Sequence, residues 1–424
     1  MELFLVCFSG AILGTIAGLL PGLAPSTMAA LIFPLITSMN IEYGVILLTS
    51  ILYGSQYSSS TSAILFNVPG ENSSVLTAID GHKLAMQGKA KLALLVSAFS
   101  SFIGAIVSLL VIILCIDVAS SLVTKMTSFH YFWILLLGWL LLLLSDQKNI
   151  YAYLIGAVIA MIGNVNGVER FTFGLSELYD GIDPITLTVC LFGLSSIAYE
   201  YLSDKNYEYH TYTSENIPVN MKELESIIPA SIRGSFIGLL GILPMFHSLV
   251  SIIAYNIEKV ISKNKDLVGE GSITAVAAVE SSNNSSSQAS IIPVLSIGVP
   301  TGPITGFMVT LLSINGIVVG PNVITHLPHL FTAIILVNII LVVLNYSFNS
   351  IWVKLLTINR HIINAIILVI SLFSLSQSIW VAIPLVIIGV YIRYKGQNVG
   401  CVFVGFVIAK LLEEYGIRVF TIGF

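Results

Sequence analysis

The sequence predicts an all-α, polytopic membrane protein made of two pseudo-symmetric, inverted repeats with broken helices and re-entrant hairpins. Three observations carry this reading. Of 424 residues, 56% are hydrophobic and only 9% are Asp, Glu, Lys or Arg, where soluble domains carry about 25% charged residues. Eleven apolar runs are interrupted by polar segments that carry almost no charge. A series of motifs in the first half recurs, in order, in the second. With a mean hydropathy of +0.95, the chain lacks the charge to wet a large soluble surface. Its apolar residues, at ~20 per spanning helix, cap the crossings near roughly a dozen.

The apolar runs, in chain order, are Leu3–Leu20, Met28–Ile36, Leu92–Ile116, Tyr131–Leu144, Ile150–Ile162, Ile185–Ala198, Ile227–Ala254, Leu330–Leu344, Ile362–Leu375, Trp380–Ile392 and Val399–Leu412. Several hold only about 13–15 residues, too few to cross a ~30 Å hydrocarbon core upright. Short runs beside long ones predict broken helices, which persist only where protein or water surrounds them. The aqueous stretch Glu200–Glu225 divides the chain into a first repeat (1–199), a hydrophilic linker (200–226) and a second repeat (227–424). Met1–Gly10 lacks the basic region of a cleavable signal, so the first run reads as part of the mature protein.

The duplication rests on an ordered set of matches. Gly10, Gly14, Gly18 and Pro21 are echoed by Gly234, Gly238, Gly241 and Pro244. Ser58–Ser62 leading to Asn67-Val-Pro69 is echoed by Asn283–Ser287 leading to Gly298-Val-Pro300, and Asp80-Gly81 by Asn315-Gly316. Lysines set the orientation. Lys83, Lys89 and Lys91 follow the first polar segment, whereas its counterpart Gly320–His329 has no Lys or Arg. Lys259, Lys263 and Lys265 precede the second polar segment, whereas Ser38–Gly44 has none. Equivalent loops of opposite bias face opposite sides under the positive-inside rule, as inverted repeats require.

Three polar segments within the apolar pattern are the candidate site. In Leu20–Met28 two prolines and a glycine stop and restart a helix, with Ser26 and Thr27 placed to cap the restart. Tyr53–Glu71 carries Ser58, Ser59, Ser60, Thr61, Ser62 and Asn67; Glu280–Thr305 carries Asn283, Asn284, Ser285, Ser286, Thr301 and Thr305. The last two read as hairpins dipping into the membrane. Helix N-termini there suit a carboxylate, and Ser, Thr and Asn oxygens suit a dehydrated Na⁺ near Asn67, Asn283, Asn284 and Glu280. These segments hold no Lys or Arg, so a bound anion would be held by neutral donors and an accompanying cation. Glu280 would repel an anion, which assigns it to cation coordination, a proton site or second-shell hydrogen bonding.

The same motifs resemble the large permease subunit of the tripartite tricarboxylate transporters. That family has Pro-Gly-Leu-x-Pro-Thr-Thr, matched by Pro21-Gly-Leu-Ala-Pro-Ser-Thr27. Its Tyr-Gly-Gly-Ser, Ala-Ile-Leu-x-Asn-x-Pro-Gly-Glu and Ser-x-x-Thr-x-x-Asp-Gly segments are matched by Tyr57–Ser60, Ala63–Glu71 and Ser74–Gly81. Val279–Ser285 and Ile292–Thr301 match the second-half motifs. Ser58 and Ser59 stand where the family has glycines, Val279 where it has proline and Thr301 where it has glycine, so citrate is not assumed as substrate. The resemblance implies a multi-pass protein of the prokaryotic cytoplasmic membrane. It also implies a small membrane subunit and an extracytoplasmic solute-binding protein as partners, and a homodimer is left open.

The expected function is cation-coupled secondary transport of a small organic carboxylate by alternating access, with Na⁺ or H⁺ as coupling ion and no other cofactor. No phosphate-binding Gly-x-x-x-x-Gly-Lys-Ser/Thr loop supports primary transport. The net charge of −4 offers no basic field for nucleic acid. The four cysteines and seven histidines lack metal-ligand spacing. A channel is the alternative. An intramembrane serine enzyme is disfavoured because no His or Lys lies beside the serine clusters to act as base.

Overall fold

The computed structural model describes the chain except for residues 21–23, 68–73, 124–126, 166, 204–220, 244–246, 263–266, 318–320, 348–359, 376 and 422–424. The expected break at Pro21-Gly22-Leu23, the Val68–Glu71 motif, Pro244 and most of the 200–226 linker lie outside the described residues.

In the first half, α1 (Glu2–Leu19) is followed by the short α2 (Pro25–Ile36), the long α3 (Ile41–Phe66), α4 (Val75–Leu84) and α5 (Ala90–Val123). A π-helical turn at Ala85–Lys89, with Gly88 at φ 78°, joins the last two. Next come α6 (Ser128–Ser145), α7 (Ile150–Ala160), and an antiparallel pair of β1 (Gly163–Val165) and β2 (Val168–Arg170). Then α8 (Pro184–Thr188) passes through a π-helical turn into α9 (Ser195–Ser203).

The second half holds α10 (Met221–Gly238), α11 (His247–Ile261), α12 (Ile273–Ala289), α13 (Ile291–Ile297) and α14 (Pro303–Ile314). It ends with α15 (Leu330–Ser347), α16 (Arg360–Phe373), α17 (Ile379–Tyr394) and α18 (Val399–Thr421). Among the described residues, three helical stretches are long and apolar enough to cross a membrane: Glu2–Leu19, Val75–Leu114 and Pro184–Ser203. Ser128–Leu144 and Gln147–Ala160 qualify together across a 95° bend. At about 1.5 Å per residue, α2 and α14, with 12 residues each, reach roughly 18 Å, little more than half the ~30 Å core. They meet through Phe33 and Phe307, whose ring centroids are 5.1 Å apart.

Glycine ladders decide which helices approach. Along α1, a Cβ at Gly10 would meet Leu47 and Ser50, one at Gly14 Ile51 and Gly54, and one at Gly18 Ser55 and Ser58. The contacts advance together, so α1 and α3 run parallel. The same holds for α10 on α12, where Gly234 faces Ala278 and Ser281, Gly238 faces Ser282 and Ser285, and Gly241 faces Ser286. Small residues at this spacing let helix backbones touch where no hydrophobic force drives helices together in lipid. Two further helices complete the groups. The Cys7 thiol reaches the Ala333 carbonyl at 3.9 Å and Tyr57 donates to Asn338 at 3.2 Å, placing α15 along α1 and α3. Gly104 lies on Ser281 and Ser108 donates to the Ser285 carbonyl at 3.0 Å, placing α5 along α12.

The two groups run in opposite directions. The end of α3 lies beside α4, where Gly81 abuts Ile64 and the His82 ring is 2.9 Å from the Ile64 carbonyl. One residue before Gly81, Asp80 holds the residues that open α12. The start of α3 is tied instead to the 320s loop, with Glu42 accepting from the His329 backbone N–H at 2.6 Å.

The α5–α12 contact yields a direct test. A side chain at Gly104 would collide with the Ser281 carbonyl, and backbone cannot step aside as a flexible side chain can. Gly104→Leu is expected to lower the unfolding midpoint, at an overpacking cost of about 1–3 kcal/mol. Gly138→Ala, whose new methyl would meet Val299 at an ordinary 3.6 Å, is the neutral control.

Candidate functional site

The serine-rich segments are helix, which corrects the expectation of hairpin tips. Ser58, Ser59, Ser60, Thr61 and Ser62 lie in the last third of α3, and Glu280 to Ala289 form the body of α12. All are buried. In water, Ser and Asn compete for backbone groups and favour loops; with water excluded, their hydroxyls fold back on carbonyls three or four residues earlier and leave the helix intact. Ser58 donates to the Gly54 carbonyl at 2.9 Å, Ser59 to Gln56 at 3.0 Å and Ser62 to Ser59 at 2.9 Å. On α12, Ser282 donates to Val279 at 2.8 Å and Ser287 to Asn283 at 3.1 Å. The α3 helix stops at Asn67, which is exposed and adopts the left-handed conformation at φ 55°, a stop Asn tolerates better than most residues. Asn67 is thus exposed at the end of α3, about two turns past Ser60, whereas Glu280 is fully buried.

Where α3 crosses α12, a single carboxylate is enclosed by hydroxyls. Glu280 is 0% exposed. Its Oε2 accepts from Ser60 of α3 at 2.6 Å and from Ser101 of α5 at 3.2 Å. Its Oε1 accepts from Thr77 of α4, and Ser97 of α5 bonds to it as well. Asn284, one turn on, donates to Ser101 at 2.7 Å and to the Glu280 carbonyl at 3.1 Å. Ser285 donates across to Ser235 of α10 at 2.7 Å. Among the described residues no ion pair reaches Glu280. Asn283, also 0% exposed, has neither its amide nitrogen nor its oxygen hydrogen-bonded. Buried amides in native proteins are nearly always partnered, which sets Asn283 apart from its neighbour Asn284.

The structure thus brings Ser60, Glu280 and Asn284 together and places Ser58, Ser59, Asn283, Ser285 and Ser286 on the same two helices. Thr301 and Thr305 form a separate unit. After Gly298, left-handed at φ 68°, the backbone leaves the helix until Pro303. The Thr305 hydroxyl accepts from the Thr301 and Gly302 N–H groups at 3.0 and 2.9 Å and donates to the Gly302 carbonyl at 2.8 Å. Ser26 and Thr27 do not cap α2. Ala24 stands at its N-cap with Pro25 at the first helical position, where proline's missing N–H costs nothing. Both residues are buried in the first turn.

Thr77, Ser97 and Ser101 were not candidates from sequence. A signal for the latter two exists: Ser97, Ser101, Gly104 and Ser108 recur at three- and four-residue spacing on an apolar helix, the pattern of a tight interhelical face. Asp80, known only as a repeat marker, is also 0% exposed. Its Oδ1 accepts from the N–H groups of Gly269, Gly271 and Ser272 at 2.8, 2.9 and 2.7 Å, and Tyr255 donates to Oδ2 at 3.0 Å. It fixes the entry to α12 and so the height of Glu280. Nearby, Lys83 bonds the Gly269 carbonyl and pairs with Glu270 at 3.0 Å.

Comparison with known proteins places the chain in a family. Residues 4–403 match the tripartite tricarboxylate transporter TctA family. The chain is 34% identical over 428 aligned positions, 96% of its length and 85% of the relative's, to an Agrobacterium vitis protein described as an uncharacterized 52.8 kDa protein in the TAR-I ttuC' 3' region. A second Agrobacterium vitis protein, from the TAR-II ttuC' 3' region, is 38% identical over 189 residues, covering 42% of this chain and 78% of its own. No solved structure matches. Agreement with the family over residues 4–403, together with a relative 34% identical over 96% of the chain, identifies it: the protein belongs to the tripartite tricarboxylate transporter TctA family, a family of membrane transporters.

Proposed function

We propose that the protein is a cation-coupled secondary transporter of a small organic carboxylate, working by alternating access around the α3–α12 crossing. The observation that carries this reading is the orphaned Asn283 amide, buried in the same helix as the enclosed Glu280 carboxylate. An amide with a free donor and a free acceptor suits a carboxylate or hydroxy-acid ligand. A neighbouring carboxylate would repel that ligand unless a cation sits with it.

Inverted repeats supply the alternation. In this reading α10, α12 and α5 are the counterparts of α1, α3 and α15, each helix packing on its neighbours in the same order. The contacts are reciprocal: α5 of the first half packs on α12 of the second, and α15 of the second packs on α3 of the first. Such exchange is what a two-fold axis between the halves produces. The lysine bias agrees, since Lys83 meets the loop before α12 while the lysine-free loops meet at Glu42 and His329. By the positive-inside rule the Lys83 end is cytoplasmic. Thr301, Thr305, Ser26 and Thr27, at the starts of the half-length helices α14 and α2, form a second polar region along the pathway. The family description makes a small membrane subunit and a solute-binding protein the expected partners.

Counterflow tests the proposal. Proteoliposomes preloaded with unlabelled di- or tricarboxylate should transiently accumulate the labelled compound, with saturation. Single-channel currents, or flux that never saturates, would replace the carrier with a channel.

A further inference from the structure

We propose that the Glu280 carboxylate is the coupling group and that the ion it carries is a proton. This rests on the transport reading above and narrows it. A lone carboxylate inside a membrane is tolerated when it is neutralised or faces water. Here it is fully buried, and the groups around it are hydroxyls from three other helices: Ser60, Thr77, and Ser97 with Ser101.

A cage of hydroxyls has one property that amide or cationic cages lack. Each hydroxyl has one hydrogen and two lone pairs. All can donate to the carboxylate, and when it takes up a proton one of them can turn to accept from the new O–H. Both protonation states are satisfied without moving a heavy atom. The 2.6 Å separation between Ser60 Oγ and Oε2 is the distance of a strong O–H···O bond, so at Oε2 a proton fits in the space the side chains enclose. A sodium ion would have to part these oxygens.

The other titratable groups nearby are already committed. Tyr57 of α3 donates to Asn338. On α4, Asp80 accepts from three backbone N–H groups and Tyr255, and His82 contacts the Ile64 carbonyl. Arg233 of α10 is paired with Glu258 of α11 at 2.6 Å. Among the described residues, Glu280 is the carboxylate at the crossing whose side-chain partners are all hydroxyls, able to satisfy it with or without a proton. Its cage spans both groups of helices, since Ser60 belongs to one and Thr77, Ser97 and Ser101 to the first-half helices lying against the other. Relative movement of the groups would open the cage and expose the carboxyl to water.

Infrared difference spectra of the purified chain between acidic and alkaline buffer test the site without any knowledge of the substrate. The expected result is a protonated-carboxyl band, shifted by D₂O, that is missing in Glu280→Gln and displaced in Ser60→Ala. Gln keeps the shape and can both accept and donate, so the fold is expected to persist, as a thermal unfolding scan would show. In proteoliposomes, Glu280→Gln is expected to lose accumulation driven by a pH gradient, with any remaining flux independent of pH. A band unchanged by Glu280→Gln overturns the proposal. So does wild-type accumulation driven by a Na⁺ gradient with no proton uptake, an outcome that leaves the transport reading intact. The Glu280-dependent band without carboxylate counterflow would support the proton site and remove the transport reading.

Discussion

Asp80→Ala is expected to be strongly destabilising. Its Oδ1 gathers three backbone N–H groups from the loop opening α12, and Oδ2 takes the Tyr255 hydroxyl. Alanine leaves the buried Ser272 N–H and the three partly buried donors without their acceptor, and each unsatisfied buried group costs about 1–3 kcal/mol. Even with water reaching one of them, the loss is roughly 3 kcal/mol or more. Asp80→Asn separates the two contributions. Its amide oxygen can still accept from the loop and its NH₂ can donate to Tyr255, but the charge that about doubles such bonds is gone. Asn should therefore fall between wild type and Ala in the unfolding midpoint measured in detergent. Equal loss for both variants would mean that the charge, and not acceptance by Oδ1, holds the loop. Because α12 begins at this loop, Asp80→Ala should also disturb the Glu280 carboxyl band.

The sequence made some of this legible and hid the rest for physical reasons. Gly10, Gly14 and Gly18 and their echo at Gly234, Gly238 and Gly241 are visible because helix packing in lipid needs small residues at fixed spacing. Their role as contact ladders onto α3 and α12 follows only once the partner helices are known. The serine clusters were misplaced because Ser and Asn mark loops where water competes for the backbone. Burial removes that competition, and Ser58, Ser59 and Ser62 bond within their own helix. Thr77 and Ser101 meet Glu280 across separations of 203 and 179 residues, and no local pattern encodes such meetings. Asp80, visible in the sequence only as part of a motif, sits inside α4 and holds a loop 189–192 residues away.

Asn283→Leu should abolish transport while leaving the protein at least as stable as wild type. Most buried polar side chains repay their desolvation through hydrogen bonds; Asn283, with both amide atoms unbonded and no exposure, does not. Leucine keeps the branched shape, with the same number of side-chain heavy atoms, and has no polar group to leave unsatisfied. Replacing the amide should be neutral or stabilising, by up to about 1–3 kcal/mol. Asn284→Leu should behave oppositely. Its amide donates to Ser101 of α5 and, within α12, to the Glu280 carbonyl, so its loss costs one interhelical bond of about 0.6–2 kcal/mol and loosens the cage. The informative measurement is the pair of variants in one thermal scan and one counterflow assay. A stable, inactive Asn283→Leu beside a less stable Asn284→Leu would show that one amide is held for the ligand and the other for the fold. Wild-type counterflow in Asn283→Leu would remove α12 from the substrate site, because no other role visible in the structure accounts for an unbonded amide at that depth.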